Sequence, residues 1–453
     1  MSVQNNQALQ LPARPLPPHA TRNAEMPMPG GDEQMKLIDI CARGKSLYEV
    51  YLQLPKLASD LENDEALQEH SFSVESTVRA LKYRSLTMFE LMHSMSPRVI
   101  RSIVAGTVAF DDQTGKFNGY DAPNKHSSAH VPGVYVIGLS RYGEEGRFLN
   151  ITELELVIQA IEKYIAGYYA YVKFQKLATG AWLSDVENDA LIHLRHVDEK
   201  AGGKESRTPV FIDKDERVPR IEALLETLRC MCDPNLDPTK LVRMIQSPLY
   251  VGCSQNLEQR MGTYGTHCLK DINKPLGLTV AIMRKLSLEP KLHVRNVIRT
   301  WKPAQLPVAE QLVTCLASSL VYQRGFNSTE AGGTGVRTGP NSEWDCQKNL
   351  VHVMSARTIF KQNVRMSLED LRSRKEFVDE LAKIRGTIPQ IQATMEECQE
   401  RLRNLPHGFR WNDTAARLES LLQKLREQLE ERKKVLQFWN LINEVQTLAK
   451  SLS

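Results

Sequence analysis

What the sequence lacks narrows it first. No stretch approaches the roughly 18–20 uncharged apolar residues that a membrane-crossing helix needs, so no membrane partner is expected. The N-terminal residues carry no apolar run of the secretory type, and a secretory signal is therefore not expected. Cysteine is sparse and irregular (Cys41, Cys230, Cys232, Cys253, Cys268, Cys315, Cys346, Cys398), unlike the framework of a disulfide-stapled domain. A reducing, intracellular setting, in nucleus or cytoplasm, is the corresponding expectation.

What is present is the composition of a globular protein, 42% hydrophobic and 25% charged, in a chain of 453 residues. That length predicts two or three folding units. The net charge of +4 says little until it is mapped. Residues 240–337 hold 13 Lys/Arg against five Asp/Glu, a local net charge of +8, so the remainder is net acidic. A concentrated positive field raises encounter rates with polyanions, although a solvated basic face with no ligand gives the same count.

Along the chain, residues 1–34 are Pro-, Asn- and Gln-rich (LPARPLPPHA, MPMPGG) and read as a disordered arm. Residues 35–130 form a helical N-terminal region, with apolar residues recurring at three- and four-residue steps until about Val104 and a turn-rich polar loop from Asp111 to His130. Val134–Ile137 reads as a strand, and Ile151–Phe174 as a helix opened by a capping box of Thr152 and Glu155. Residues 200–215 read as a polar linker, Val218–Met231 as a helix, and Leu249–Gly252 as a strand followed by a helix capped by Ser254. A helix near Leu278–Leu286, a strand at His293–Trp301 and a helix at Val308–Tyr322 follow, before a Gly-rich loop at Ser328–Pro340. From about Ala356 the chain is charged helix, broken once at Asn404–Asp413. Leu418, Leu422, Leu425, Leu429, Leu436 and Trp439 mark a coiled-coil seam interrupted by Arg432. Pairing within the chain, with a second copy, or with a partner helix all satisfy that seam. The fold class is α+β with a helical majority: a small antiparallel sheet with flanking helices in residues 131–340, holding a helical insertion over 141–246, and a helical hairpin or coiled coil over 355–453.

The string that carries chemistry is Leu249-Tyr250-Val251-Gly252-Cys253-Ser254, with Arg260 eight residues after the Gly. Gly252 allows a tight turn after the strand, and Arg260 lies about one and a half turns into the following helix. Downstream, Glu310 opens an amphipathic helix that leads to Phe326-Asn327 and then to glycines; upstream, Gly133-Val134-Tyr135 opens a strand able to pair with the first. In order and spacing this series resembles the GIY-YIG nuclease family. The departure lies between the two tyrosine strands, which the family joins by a short turn and which here flank residues 138–248.

The resemblance implies hydrolysis of a nucleic-acid phosphodiester, DNA more readily than RNA, with one Mg²⁺ or Mn²⁺. It places Tyr135 or Tyr250 at the attacking water, which requires a phenol pKa lowered from about 10. It gives Arg260 the scissile phosphate, Glu310 the metal, and Asn327 a hydrogen bond tying the core to the site. His267 becomes an auxiliary base or phosphate contact, with Gly252, Lys270, Lys274, Arg295 and Arg299 along the nucleic acid. Two alternatives stand beside it: a derivative that binds nucleic acid without cleaving it, and a helical scaffold assembling through its C-terminal seam. Cys230 and Cys232 with His193 and His196 are poorly spaced for zinc. Ser328–Gly339 lacks the Gly-Lys-Ser/Thr ending of a phosphate loop. Tyr164, Tyr168, Tyr169 and Tyr171 are placed for base stacking or, more commonly, for packing.

Overall fold

The computed structural model describes residues 22–451 except 29, 84, 121–130, 177–181, 203–207, 266–268, 270–271, 303, 333–342, 357 and 405–413. The chain divides into two compact units, Met1–Ser367 and Leu368–Ser453. In chain order the elements are α1 (Asp32–Ala42), α2 (Leu47–Glu62), α3 (Glu65–Glu69), α4 (Glu75–Tyr83), α5 (Leu86–His93), α6 (Pro97–Ala105), α7 (Val108–Gln113), β1 (Gly133–Arg141), α8 (Ile151–Lys176), α9 (Asp185–Lys200), α10 (Val218–Met231), β2 (Tyr250–Ser254), α11 (Leu257–Gly262), α12 (Lys274–Lys285), β3 (Pro290–Arg299), α13 (Gln305–Ala317), α14 (Glu343–Val351), α15 (Thr358–Arg403) and α16 (Thr414–Ser451). The fold is α+β, mostly helical, with one three-stranded antiparallel sheet ordered β2-β1-β3.

That sheet divides two cores. Alternation along β1 sends Tyr135, Ile137 and Leu139 into a core built with α8, α9, α10 and α12. Val134 and Val136 enter the other, built with α1, α2, α4, α5, α6 and α13. Every residue of β1 from Gly133 to Ser140 is therefore buried, unlike the common antiparallel sheet with one wet face. The N-terminal helices and the insertion, read from sequence as separate regions, share the first unit because each covers one face of the same sheet. A β-bulge between Val134 and Tyr135 shifts the pairing with β3.

Several boundaries differ from the sequence reading, each for a local reason. The cap of α8 is Asn150, which accepts from the Glu153 N–H at 2.9 Å; Thr152 instead donates to the Lys240 carbonyl. Ser254 makes a turn with Asn256, and Asn256 caps α11 by accepting from the Gln259 N–H at 3.1 Å. The polar linker hides core anchors, since Phe211 and Ile212 are fully buried. The arm is anchored from Arg22 onward: Met28 is buried and its N–H donates to Gln246 at 2.9 Å. Residues 1–21 of that arm lie outside the described residues.

The second unit is a pair of helices that meet within the chain. Among the described residues of that unit, Leu381, Ile391 and Cys398 on α15 and Leu422 and Leu429 on α16 are buried. Arg432, the charge that interrupts the seam, donates from Nη1 to Thr387 Oγ1 at 2.5 Å.

Candidate active site at the edge of β2

Sheet register brings the two tyrosine strands together. Tyr135 lies opposite Gly252, and Ile137 opposite Tyr250, although residues 142–249 separate β1 from β2. Tyr135 and Tyr250 share one face, with ring centroids 6.3 Å apart. Leu257 anchors α11 beneath them: its side chain is buried and its N–H donates to the Val131 carbonyl at 3.0 Å. Arg260 thereby projects over the tyrosines. Its Nε donates to Tyr135 Oη at 3.1 Å, and its guanidinium sits over the Tyr264 ring at 5.4 Å. The Tyr135 and Tyr264 hydroxyls are 2.9 Å apart, and the Tyr250 hydroxyl is within hydrogen-bonding reach of both Arg260 and Tyr264.

Glu310 reaches the same strand from the other face. Its helix α13 packs on the side that carries Val251 and Cys253. The Glu310 carboxylate accepts from the Gly332 N–H at 2.9 Å and from the Cys253 thiol. Its charge acts on Tyr250, as does that of Arg260. Asn327 holds the free edge of β2 as a neighbouring strand would: Nδ2 donates to the Val251 carbonyl at 2.7 Å, and Oδ1 accepts from the Val251 N–H at 2.9 Å.

Burial sets the electrostatics. It pushes the Tyr135, Tyr250 and Tyr264 phenols well above the ordinary tyrosine range, outweighing the adjacent guanidinium. Both sequence-selected tyrosines thus carry their protons at neutral pH, opposite to the shift a base requires. Burial also raises Glu310, against the stabilising Gly332 N–H and Cys253 thiol, and raises Cys253, reinforced by Glu310.

Tyr135, Tyr250, Gly252, Arg260, Glu310 and Asn327 therefore gather around one strand. The remaining described candidates stand on β3 and α12. Arg295 lies on β3 across β1 and pairs with Asp112 at 2.5 Å; Arg299 lies opposite Gly133, also on β3. Lys274 stands at the first turn of α12. His267 and Lys270 lie outside the described residues. His193 is tied through Nε2 to the Ala160 carbonyl and through Nδ1 to Lys285, and among the described residues no group of three or more His, Cys, Asp or Glu is arranged to hold a metal.

Two participants escaped the sequence reading. Tyr264 follows Arg260 by four residues, about one helical turn, and that spacing was its only signal. Cys253 had none, because contact with Glu310 depends on how α13 packs. Ser140, His293 and Asp112 also escaped it: Ser140 Oγ lies 2.9 Å from His293 Nε2, and His293 Nδ1 lies 2.8 Å from Asp112. Ser140 is 0% exposed, so this chain ties β1, β3 and α7 together and offers no nucleophile to a substrate. Comparison of the chain with protein-family models, curated proteins and solved structures gives no match.

Proposed function

We propose that the chain is a divergent GIY-YIG-type endonuclease, hydrolysing a nucleic-acid phosphodiester at the edge of β2 with one Mg²⁺ or Mn²⁺. The observation that carries this reading is the pairing of Tyr135 with Gly252, which brings two tyrosines together under Arg260, while Glu310 meets the same strand from its other face. Arg260 binds the scissile phosphate and stabilises the charge that builds in the transition state. Its hydrogen bonds with Tyr135 and Tyr250 fix its direction before substrate arrives. Tyr135 and Tyr250, protonated and clustered, act as hydrogen-bond donors that orient phosphate or water rather than as tyrosinate bases.

The donor set fits a hard cation held sparingly. Glu310 supplies a half-buried carboxylate whose pKa burial raises, so it gains from a cation in place of a proton. Mg²⁺ is commonly held by one or two carboxylates, with water and phosphate oxygens completing its shell. The Cys253 thiol, protonated and bonded to Glu310, steadies that carboxylate. When bound, such a cation neutralises phosphate charge and acidifies a coordinated water.

A second reading has its own support: the raised tyrosine pKa values favour a derivative that binds nucleic acid without cleaving it. Labelled DNA and RNA incubated with Mg²⁺ or Mn²⁺ separate the two. Cleavage is expected from the unaltered chain, with a loss of about a hundredfold or more for Arg260→Ala. Glu310→Gln is expected to bind but not cut. Salt-dependent binding with no cleavage by the unaltered chain selects the second reading, and neither binding nor cleavage rejects both.

A further inference from the structure

A cavity of about 180 Å³ lies among the starts of α10 and α12 and the segment after Asn327. We infer that it is a binding site for a phosphoryl group. Three of its lining residues are cations, Arg217, Arg220 and Lys274; among the described residues that line it none is a carboxylate; and Ser328 and Thr329 add hydroxyl donors.

The second observation is an unsatisfied group. Arg217 pairs through Nε with Asp213 at 3.0 Å, but its Nη1 is buried with no hydrogen-bond partner. An unmet buried donor of this kind destabilises the fold, the more so when charged. An anion in the cavity would remove that penalty. The third observation is the backbone. Asn273, Lys274 and Pro275 line the cavity and open α12, a helix of 12 residues. The Leu276 N–H is taken by the Asn273 side chain at 3.1 Å and Pro275 has none, so what this helix end offers an anion is the positive end of its dipole. Asp213 offsets Arg217, and Asp198 acts on Lys274 from nearby, yet neither lines the space.

Size selects the ligand class. At about 30 Å³ per water, the cavity holds some six waters, room for a phosphoryl group with part of its hydration. Ser328 and Thr329 directly follow Asn327, whose side chain grips β2, so one wall of the cavity is joined along the chain to the strand that carries Tyr250. Only the choice of a nucleic-acid strand as the source of the phosphate rests on the proposed nuclease function.

The test uses the full chain and inorganic phosphate, titrated calorimetrically at low salt. Saturable binding is expected, about tenfold or more weaker in Arg217→Gln and in Arg220→Gln. Thermal unfolding identifies any variant that does not fold; Arg220 is half-exposed and provides the safer substitution. In a second arm, a 5′-phosphorylated oligonucleotide is compared with its hydroxyl-ended counterpart by fluorescence anisotropy. A preference for the phosphorylated strand, lost in Arg220→Gln, supports the site with a strand end as its ligand. Equal binding of both strands, with phosphate binding retained, supports it with a small phosphorylated molecule instead. The site is overturned if the unaltered chain shows no saturable phosphate binding, or if neither arginine substitution changes it. Cleavage is not read in either arm, so failure here is distinct from failure at the Tyr135 site.

Discussion

A Cβ built on Gly252 would sit 2.5 Å from the Tyr135 phenol oxygen and 2.6 Å from the ring carbon that bears it. The phenol cannot retreat cheaply, because its oxygen already meets Arg260 and Tyr264. Glycine is thus set at this position by the ring crossing it, beyond any need for a flexible turn. Gly252→Ala is expected to destabilise the fold by about 2 kcal/mol through overpacking and to displace the Tyr135–Arg260 contact. Urea unfolding followed alongside nucleic-acid binding reads both effects, and unchanged stability with unchanged binding would show that the ring has room after all. Glu310 belongs to the same scale: its neighbours Cys253 and Gly332 come from segments far apart in sequence.

Between elements, the start of α15 is fastened to α5 by buried polar contacts. Asn363 Nδ2 donates to the His93 and Met95 carbonyls, each at 2.8 Å. His93 donates from Nδ1 to the Phe89 carbonyl at 2.8 Å, which leaves Nε2 to accept from the Ser367 hydroxyl, also at 2.8 Å. The ring is buried and stacked on Phe89. Burial lowers its pKa from 6.5 to about 4, partly opposed by the Phe89 carbonyl. A histidine depressed in the folded state contributes stability above its unfolded pKa and loses it as pH falls toward the folded value. Unfolding free energy should therefore decline between about pH 6.5 and 4, by at most about 3 kcal/mol from this residue. His193, lowered to about 4 by burial and by Lys285, works in the same direction. His93→Asn should flatten the lower part of a stability–pH curve; a slope identical to that of the unaltered chain would remove His93 as its cause.

For the molecule as a whole, the second unit bears on assembly. Its apolar seam closes within the chain, through Leu381, Ile391 and Cys398 on one helix, Leu422 and Leu429 on the other, and the Arg432–Thr387 hydrogen bond. Phe377 and Val378 on α15 and Leu421 and Val435 on α16 stay exposed outside that seam. Light scattering is expected to give a monomer mass of about 51 kDa, and removal of residues 405–453 should leave the chain monomeric while exposing Leu381 and Ile391. A dimer that reverts to monomer on that deletion would show that the seam works between chains.

Much of this was legible in the chain itself. Apolar period marked the N-terminal helices and the seam of α16, because a helix buries a stripe whatever its partner. The Tyr-x-Gly strand, Arg260, Glu310 and Asn327 could all be selected from order and spacing, although α13 begins at Gln305, so Glu310 lies in mid-helix and does not open it. Boundaries fared worse where side chains compete for one backbone group, as Asn150 and Asn256 did against Thr152 and Ser254. Other features had no local signature at all. The second face on β1, the rise in the tyrosine pKa values and the Cys253–Glu310 contact arise from long-range burial, whereas the β1–β2 pairing across residues 142–249 was already expected from the motif order. Sequence determined which residues could form helices, strands and a basic region; tertiary packing decided which of them meet and how dry the meeting place is, because register and dielectric belong to the assembled core and to no segment alone.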